Sequence, residues 1–316
     1  MKNLKASYSA ASTFPVKLLK SKVIDNNRII PYHIQLCPIN KCNLKCSFCC
    51  FRDRNQDLQL ELHDIKKLLK EYASLGARAI TITGGGEPFL HPDINEILET
   101  AQHYGLQIGV TSNGLCLNKI INCDLFTWAR ISASDESDIS QLFKKISPSI
   151  CRFPKVDWAF SYILTENPNW QKINEVIEFA NSHNFSHVRI RSDVLNLDTV
   201  VSMETVAQKV NADLNRVVFQ GRKDATKGDK KCLVSLLKPM IAPDGYIYPC
   251  CGVAYALNEI PCGFPKSMRM GHMTDLKKIF TNQEWFDGSV CSKCYYKNYN
   301  DILDIMISEI NHESFI

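Results

Sequence analysis

Residues 34–214 alternate short apolar segments with longer amphipathic ones, and this alternation limits the possible folds more than any other feature of the chain. The short segments are rich in β-branched or apolar residues and predict six strands: Ile34–Cys37, Ala79–Thr83, Gln107–Thr111, Arg130–Ala133, Trp158–Leu164 and Val188–Arg191. Between them, apolar residues recur at the i, i+3, i+4, i+7 spacing of helices. Six βα units in series predict an α/β fold, a partial (β/α)6 TIM-like barrel with a parallel sheet.

The polar and glycine-rich segments of this region follow the predicted strands, at the face where parallel barrels build their active sites. A cysteine-rich segment follows the first strand, and Gly84, Gly85, Gly86 and Glu87 follow the second. The later strands end at Ser112 and Asn113, at Ser132 and Ser134, and at Arg191. We therefore expect residues far apart in sequence to surround one cavity.

Cys42, Cys46 and Cys49 offer three thiols in eight residues, spaced C-x3-C-x2-C. Three thiolates can hold three corners of a cubane iron–sulfur cluster and leave the fourth iron without a protein ligand. An open metal position is typical of a site that binds or activates a molecule. The spacing therefore predicts a catalytic cluster.

The same residues, with Phe48 before the third thiol, resemble the signature of the radical S-adenosylmethionine (SAM) superfamily, C-x3-C-x-aromatic-C. The resemblance implies a [4Fe-4S] cluster whose open iron is chelated by SAM, and reductive cleavage of SAM to a 5′-deoxyadenosyl radical that abstracts a substrate hydrogen. The glycine run resembles the GGE motif of that family, whose backbone and acid contact the methionine amino group. A dinucleotide site would need G-x-G-x-x-G, which this run does not provide.

Other strand-end residues are candidates for binding SAM, each with an ordinary structural alternative. Ser112, Asn113, Ser132 and Ser134 are placed to contact its ribose or carboxylate, although such residues also serve as turn and cap residues. Arg191 is suited to bidentate pairing with the methionine carboxylate, or to an ion pair with Asp193.

A second cysteine group, Cys232, Cys250, Cys291 and Cys294, lies in a region where the βα alternation has stopped. On spacing alone it is compatible with structural zinc or with an iron–sulfur cluster. The order of these cysteines along the chain resembles the SPASM/twitch extension of radical SAM enzymes, and the resemblance implies one auxiliary [4Fe-4S] cluster on these four thiols. Cys251 directly follows Cys250 and could replace it as a ligand. Cys251 and Cys262 are candidates to return a hydrogen atom to a substrate radical. We divide the chain into an extension (1–30), a radical SAM barrel (31–215) and an auxiliary-cluster domain (216–316).

Composition sets broad limits on the 316-residue chain. Its net charge of +4 does not favour nucleic acid as a partner, and no apolar stretch is long enough for a secretion signal or a membrane span. Fourteen cysteines without such a signal favour metal binding in a reducing cytoplasm. The remaining thiols Cys37, Cys116, Cys123 and Cys151 sit among apolar residues and are expected to be buried and inert.

These features predict an enzyme that oxidises or epimerises a small, sugar- or aminocyclitol-like molecule, with a flavodoxin or ferredoxin as electron donor. Two alternatives remain open. The first is a radical SAM enzyme that modifies a peptide, and the second is a non-catalytic module that binds zinc at both cysteine groups.

Overall fold

The computed structural model describes residues 13–196, 201–210, 216–220, 225–257 and 263–308. The helices are α1 (Thr13–Lys20), α2 (Leu62–Ser74), α3 (Ile94–His103), α4 (Ile139–Arg152), α5 (Trp170–Ser182), α6 (Met203–Lys209), α7 (Val234–Leu237), α8 (Leu276–Thr281) and α9 (Lys297–Met306). The strands are β1 (Ile24–Asp25), β2 (Arg28–Ile29), β3 (His33–Leu36), β4 (Ala79–Ile82), β5 (Gln107–Ser112), β6 (Phe126–Ser134), β7 (Asp157–Leu164), β8 (His187–Ser192), β9 (Val217–Gln220), β10 (Met240–Ile241), β11 (Tyr246–Tyr248) and β12 (Gly271–His272).

A single ten-stranded sheet, in the order β12-β11-β10-β3-β4-β5-β6-β7-β8-β9, organises the protein. Strands β3 to β9 pair in parallel with their neighbours, and β10 pairs in parallel with β3. Strands β10, β11 and β12 are antiparallel to one another. Within the described residues β9 and β12 form the two edges, so the sheet is not closed there. This arrangement confirms the predicted α/β partial barrel.

The helices cover the sheet through the apolar stripes that the sequence contains. Helix α2 buries Ile65, Leu68, Leu69 and Tyr72, which follow the helical repeat. Helices α3 and α5 bury equivalent stripes. Each fully buried aliphatic side chain of this kind contributes about 1.5–3 kcal/mol to folding. The packing of these stripes fixes the sheet, and the sheet in turn positions the loops at its carboxyl edge.

Several details differ from the sequence-based expectations. Strand β6 begins at Phe126, four residues before the predicted Arg130, and β9 adds a strand that we did not predict. Cys37 and Cys123 are buried as expected, but Cys116 is only half-buried and Cys151 is exposed. Cys151 follows Ile150, the last residue of the buried stripe of α4, and one further residue turns its side chain away from the core. No helix in the described part of the chain is long and apolar enough to cross a membrane.

Candidate active site

The first cysteine group lies in the loop after β3, at the carboxyl edge of the parallel strands. Cys42, Cys46 and Cys49 are all partly exposed and line a cavity of about 1550 Å³. Burial, followed by the negative charge of Cys49, raises the pKa of the Cys46 thiol to about 11. Burial also raises the pKa of Cys42, and Cys49 adds to that rise. The three thiols therefore line one cavity and lie within electrostatic range of one another, which suits ligands of a shared cluster.

The glycine run after β4 lies directly against the backbone that leads into the cysteine loop. The N–H of Gly86 donates to the carbonyl of Ile39 (3.1 Å), and the N–H of Glu87 donates to that of Lys41 (2.9 Å). A Cβ atom on Gly86 would lie 2.1 Å from the Lys41 carbonyl oxygen, and one on Gly85 would lie 2.1 Å from Asn40 Oδ1. Only glycine permits this approach, so the run positions the cysteine loop as well as lining the cavity.

Glu87 is 2% exposed and is bonded to the end of β5. Its Oε1 accepts hydrogen bonds from Ser112 Oγ (2.8 Å) and Phe89 N (3.1 Å), and its Oε2 accepts one from Asn113 N (2.8 Å). Burial raises the pKa of this carboxyl, while these hydrogen bonds oppose the rise. A carboxylate has about four acceptor positions, so Glu87 retains room for roughly one further donor.

Three side chains that we did not single out from the sequence brace the cysteine loop. Glu136, in the loop after β6, accepts from the N–H of Ser47 at 3.1 Å and also from its hydroxyl. Arg54 donates to the Asn40 carbonyl (2.6 Å) and points Nη1 at Cys49 Sγ (3.9 Å). Arg52 donates to the Ser47 carbonyl (3.0 Å). In the sequence, only the closeness of Arg52 and Arg54 to Cys49 indicated that they belong to the site. No sequence feature indicated Glu136.

The other candidate SAM-binding residues line the same cavity, except Gly85, which faces Asn40. Asn113 joins β5 to the cysteine loop, since its Nδ2 donates to Asn43 Oδ1 (2.7 Å). Ser134 is buried in a local turn, where its Oγ accepts from the N–H of Glu136 (3.2 Å). Burial and then the charge of Cys49 raise the pKa of the Cys50 thiol to about 12, and the nearby charge of Arg191 opposes that rise. Asp193 accepts hydrogen bonds from Leu195 N and Asn196 Nδ2.

The second cysteine group lines a separate, smaller cavity. Cys232, Cys250, Cys291 and Cys294 all contribute to its wall. Burial, and then the charges of Cys294 and Cys291, raise the pKa of Cys232 to about 12. Burial raises the pKa of Cys250 well above its usual value, with Cys251 and Cys232 adding to the effect. Backbone N–H groups of Gly252 and Tyr296 donate to the sulfurs of Cys250 (3.3 Å) and Cys294 (3.4 Å), as they would to bound thiolates.

The donor set fits a cluster at this position. Four thiols surround one cavity, and backbone bonds from Thr226 to Cys294 and from Cys232 to Phe286 hold the surrounding segments together. Among the residues that the structure describes, no three His, Cys, Asp or Glu side chains are arranged to hold a single metal ion. Thiolates bind iron–sulfur clusters well, and Cys232, Cys250, Cys291 and Cys294 are the residues that would hold one.

Cys251 lies between the two cysteine groups. Its charge affects the pKa of Cys50 and of Cys37, which belong to the barrel, and that of its neighbour Cys250. Its Sγ is 3.2 Å from the hydroxyl oxygen of Tyr296, and both residues line the large cavity. Cys294 contributes to both cavities, so the two sites share a wall. Cys262, the other candidate hydrogen donor, lies outside the described residues.

The fold and the converging cysteines agree with the sequence comparisons. The family model described as the Radical SAM superfamily matches residues 36–132, which include the cysteine loop, the glycine run and the end of β5. Residues 36–132 therefore form a radical SAM domain, and such a domain implies a [4Fe-4S] cluster and SAM as cofactors.

Two curated relatives carry the same kind of name. GTP 3',8-cyclase of Chlorobaculum tepidum is 34% identical over 90 residues, which are 28% of this chain and 27% of that protein. A probable GTP 3',8-cyclase of Methanothermobacter marburgensis is 24% identical over 306 residues, covering 82% of this chain and 95% of that protein. The chain thus spans about a quarter of the length of the first relative and nearly all of the second.

Among solved structures, Streptococcus suis SuiB bound to S-adenosylmethionine has a TM-score of 0.55, with 15% identity, over 93% of this chain and 77% of SuiB. The same protein has also been solved bound to its precursor peptide SuiA, with a TM-score of 0.54, 16% identity, 76% of this chain and 62% of SuiB. At 15–16% sequence identity, the similarity to SuiB is evidence for a shared fold alone.

Proposed function

We propose that this protein is a radical SAM enzyme that holds its catalytic cluster on Cys42, Cys46 and Cys49 and generates a 5′-deoxyadenosyl radical for hydrogen abstraction. The observation that carries the proposal is the direct backbone pairing of the glycine run with the approach to the cysteine loop. The three thiols and the candidate SAM-binding residues other than Gly85 line one cavity, which supports the same proposal.

Each group of residues has a definite task in this proposal. Cys42, Cys46 and Cys49 would hold the cluster, which would supply the electron needed to cleave the sulfonium of SAM. Glu87 and the backbone of Gly84 and Gly86 face the cavity and suit a methionine ammonium, while the Arg191 guanidinium suits its carboxylate. Ser112, Asn113, Ser132 and Ser134 offer polar groups around the adenosine, although Ser112 and Asn113 already bond Glu87. Gly85 has a different task, because it allows the backbone to approach Asn40, just before the cysteine loop.

The substrate in this proposal is a small molecule with a sugar-like ring, oxidised or epimerised at a carbon that bears an OH or NH group. The relatives named GTP 3',8-cyclase support this class, because GTP contains a ribose. The precursor peptide bound to SuiB keeps a peptide substrate as the alternative.

The segment 216–316 acts in this proposal as the auxiliary-cluster domain, next to the barrel of 31–215 and the extension of 1–30. An auxiliary cluster on Cys232, Cys250, Cys291 and Cys294 would exchange electrons with the substrate site across the wall they share. Cys251, which lines the large cavity, is the proposed donor of a returning hydrogen atom, and Cys262 is the second candidate.

We further propose a cytoplasmic location and a flavodoxin or ferredoxin as electron donor. Lys41 and Lys45 are exposed on the cysteine loop and give its outer surface positive charge. That charge would attract an acidic carrier, and such attraction weakens as salt concentration rises.

Metal analysis after anaerobic purification tests the proposal against the zinc-binding alternative. Two four-iron clusters predict brown protein with about eight irons per chain. Colourless protein loaded with zinc would contradict both the cluster assignments and the enzymatic function.

Turnover in deuterated water tests the hydrogen-return step. If Cys251 donates the hydrogen, the epimerised product carries one solvent deuterium in the wild type and none in Cys251→Ala. The conservative Cys251→Ser variant should also lose the label, because a hydroxyl O–H bond is too strong to replace the thiol. Unchanged labelling in both variants would exclude Cys251.

A further inference from the structure

The interior of the partial barrel is polar, whereas parallel barrels usually fill theirs with layers of branched apolar side chains. The large cavity continues from the cysteine loop into this interior, where Gln35, Thr81, Arg130 and Arg189 line its wall. Gln35 is 6% exposed, and its Nε2 has no hydrogen-bond partner among the described residues. An interior of this kind suits a polar ligand.

The described residues of the cavity wall carry more positive than negative charge. Six are Lys or Arg and three are Asp or Glu: Lys17, Arg130, Arg189, Arg191, Lys238 and Lys297 against Glu87, Asp157 and Asp193. The carboxylates of Glu87 and Asp193 already accept hydrogen bonds from nearby backbone and side-chain donors.

Lys17 and Lys238, at the amino end of the barrel, lie within electrostatic range of one another and of the buried His33. Burial and then the charge of Lys238 lower the pKa of Lys17, and burial together with both lysines lowers that of His33. Cations that repel one another in a partly desolvated cavity favour a bound anion.

Two arginines in the middle of the interior are held in fixed orientations. The Arg130 guanidinium lies over the Trp128 ring at 4.9 Å, and that ring packs so closely on Gly109 that a Cβ there would lie 2.2 Å from it. Arg189 Nη2 donates to Ser161 Oγ at 2.9 Å. Arg130 is on β6 and Arg189 on β8, two strands apart, which is roughly 10 Å at the usual strand spacing. Long side chains can bracket one oxyanion from that separation.

We propose that the substrate carries a phosphate or polyphosphate group that binds inside the barrel between Arg130 and Arg189. The planar guanidinium fork pairs with two phosphate oxygens at once, which a neutral sugar cannot offer. Arg130 precedes Ser134, the end of β6, by four residues, or about 13 Å of strand. A phosphate held there leaves space for a sugar-sized group below the cysteine loop. The inference rests on the proposed function, because it names the substrate class of the same cavity.

Equilibrium binding of sodium tripolyphosphate to the anaerobic, cluster-loaded protein tests this inference. We expect saturable binding that weakens as NaCl is raised, and that weakens by about tenfold or more in Arg130→Gln and in Arg189→Gln, since charge-assisted hydrogen bonds are lost. Arg130→Lys and Arg189→Lys should recover part of the affinity. Arg152→Gln is the matched control, because Arg152 also lies over an aromatic ring (Phe153, 5.0 Å) but does not line the cavity.

The outcomes separate this inference from the proposed function. Absence of tripolyphosphate binding to the wild type, binding indifferent to salt, or equal affinity in the wild type and both Gln variants would overturn it. Citrate that binds as tightly as tripolyphosphate would overturn the assignment to phosphate. The proposed function is judged independently, by whether the wild type forms 5′-deoxyadenosine from SAM.

Discussion

The glycines before Glu87 show how single residues build this site. Gly86 allows one backbone to lie against another, and a Cβ atom there would collide with the Lys41 carbonyl just before Cys42. We predict that Gly86→Ala destabilises the protein by about 1–3 kcal/mol through overpacking. It should also lower the iron content, because the displaced backbone leads into the cysteine loop.

Gly105→Ala is the control for this effect. Gly105 has a φ of +73° but nothing within 4 Å of its Cβ position. Its replacement should cost about 1 kcal/mol of backbone strain and leave iron content unchanged. Iron analysis and urea unfolding measure both effects, and full iron loading of Gly86→Ala would contradict the assigned contact.

His33 is buried at the amino end of the barrel, where its Nε2 lies 2.7 Å from Thr81 Oγ1. Burial, followed by the charges of Lys238 and Lys17, lowers its pKa well below 6.5. Below about pH 6.5 the unfolded chain therefore binds a proton at His33 that the folded protein does not bind. The contribution of His33 to the free energy of unfolding is therefore complete above about pH 6.5 and is lost as the pH falls below it.

From this linkage we predict a pH-dependent difference between the wild type and His33→Gln. Between about pH 7.5 and about pH 5.5 the wild type should lose about 1.4 kcal/mol more unfolding free energy than the variant. Urea unfolding at the two pH values measures this loss. Equal pH dependence in the two proteins would show that His33 is protonated in the fold.

At the residue scale, the sequence could identify the thiols and glycines but not what holds them. Cys42, Cys46 and Cys49 are recognisable because their ligand spacing is local. The bond from Ser47 to Glu136 is not recognisable, because 89 residues separate the partners and only the βα topology brings their loops together. Cys151 was placed wrongly because apolar neighbours in sequence do not share a helix face.

At the scale of elements, Asp135 ties the loop after β6 to the loop after β7. Its carboxylate accepts hydrogen bonds from Tyr162 Oη, Thr165 Oγ1, Thr165 N and Asn169 N, all between 2.8 and 2.9 Å. We predict that Asp135→Asn, which replaces one acceptor oxygen by an NH2 donor, costs about 1–3 kcal/mol.

Asp138→Asn is the matched control for that change. Asp138 caps α4 by accepting from the N–H of Gln141 (3.0 Å), a role in which Asn and Asp are about equally good. The urea unfolding midpoint of Asp138→Asn should therefore stay close to that of the wild type. Equal stability of Asp135→Asn and Asp138→Asn would show that the hydrogen bonds of Asp135 do not stabilise the contact between the loops after β6 and β7.

Element boundaries followed from the sequence where periodicity was strong and failed where it was weak. The six central strands and the helical stripes of α2, α3 and α5 were recognisable. The start of β6 was missed because the polar Thr127 interrupts the apolar run, although the strand simply continues through it. Strand β9 was missed although Val217, Val218 and Phe219 favour a strand, because it is only four residues long; it pairs with β8 at the edge of the sheet.

At the scale of the whole molecule, β10 connects the two cysteine groups. It pairs in parallel with β3, the strand that leads into the cysteine loop, and so brings Cys250 and Cys251 towards the barrel cavity. No local pattern predicts this pairing, since about 200 residues separate the strands and pairing over that distance depends on the complete fold.

We predict that removal of single thiols separates the two proposed clusters. Cys291→Ala should lose about half of the iron and retain SAM cleavage, because its cavity is distinct from that of the first group. The exposed Cys151→Ala should keep all of its iron. Iron analysis on the three proteins measures this, and full iron loading of Cys291→Ala would contradict the auxiliary assignment.

The most direct test of the central claim is the formation of 5′-deoxyadenosine from SAM by the anaerobic, dithionite-reduced protein, measured by chromatography. We predict that the wild type and Cys151→Ala form it repeatedly and that Cys42→Ala forms none, because three thiolates are needed to hold the cluster with an open iron. Iron-loaded wild type that releases no 5′-deoxyadenosine, or Cys42→Ala that releases as much as the wild type, would contradict the account.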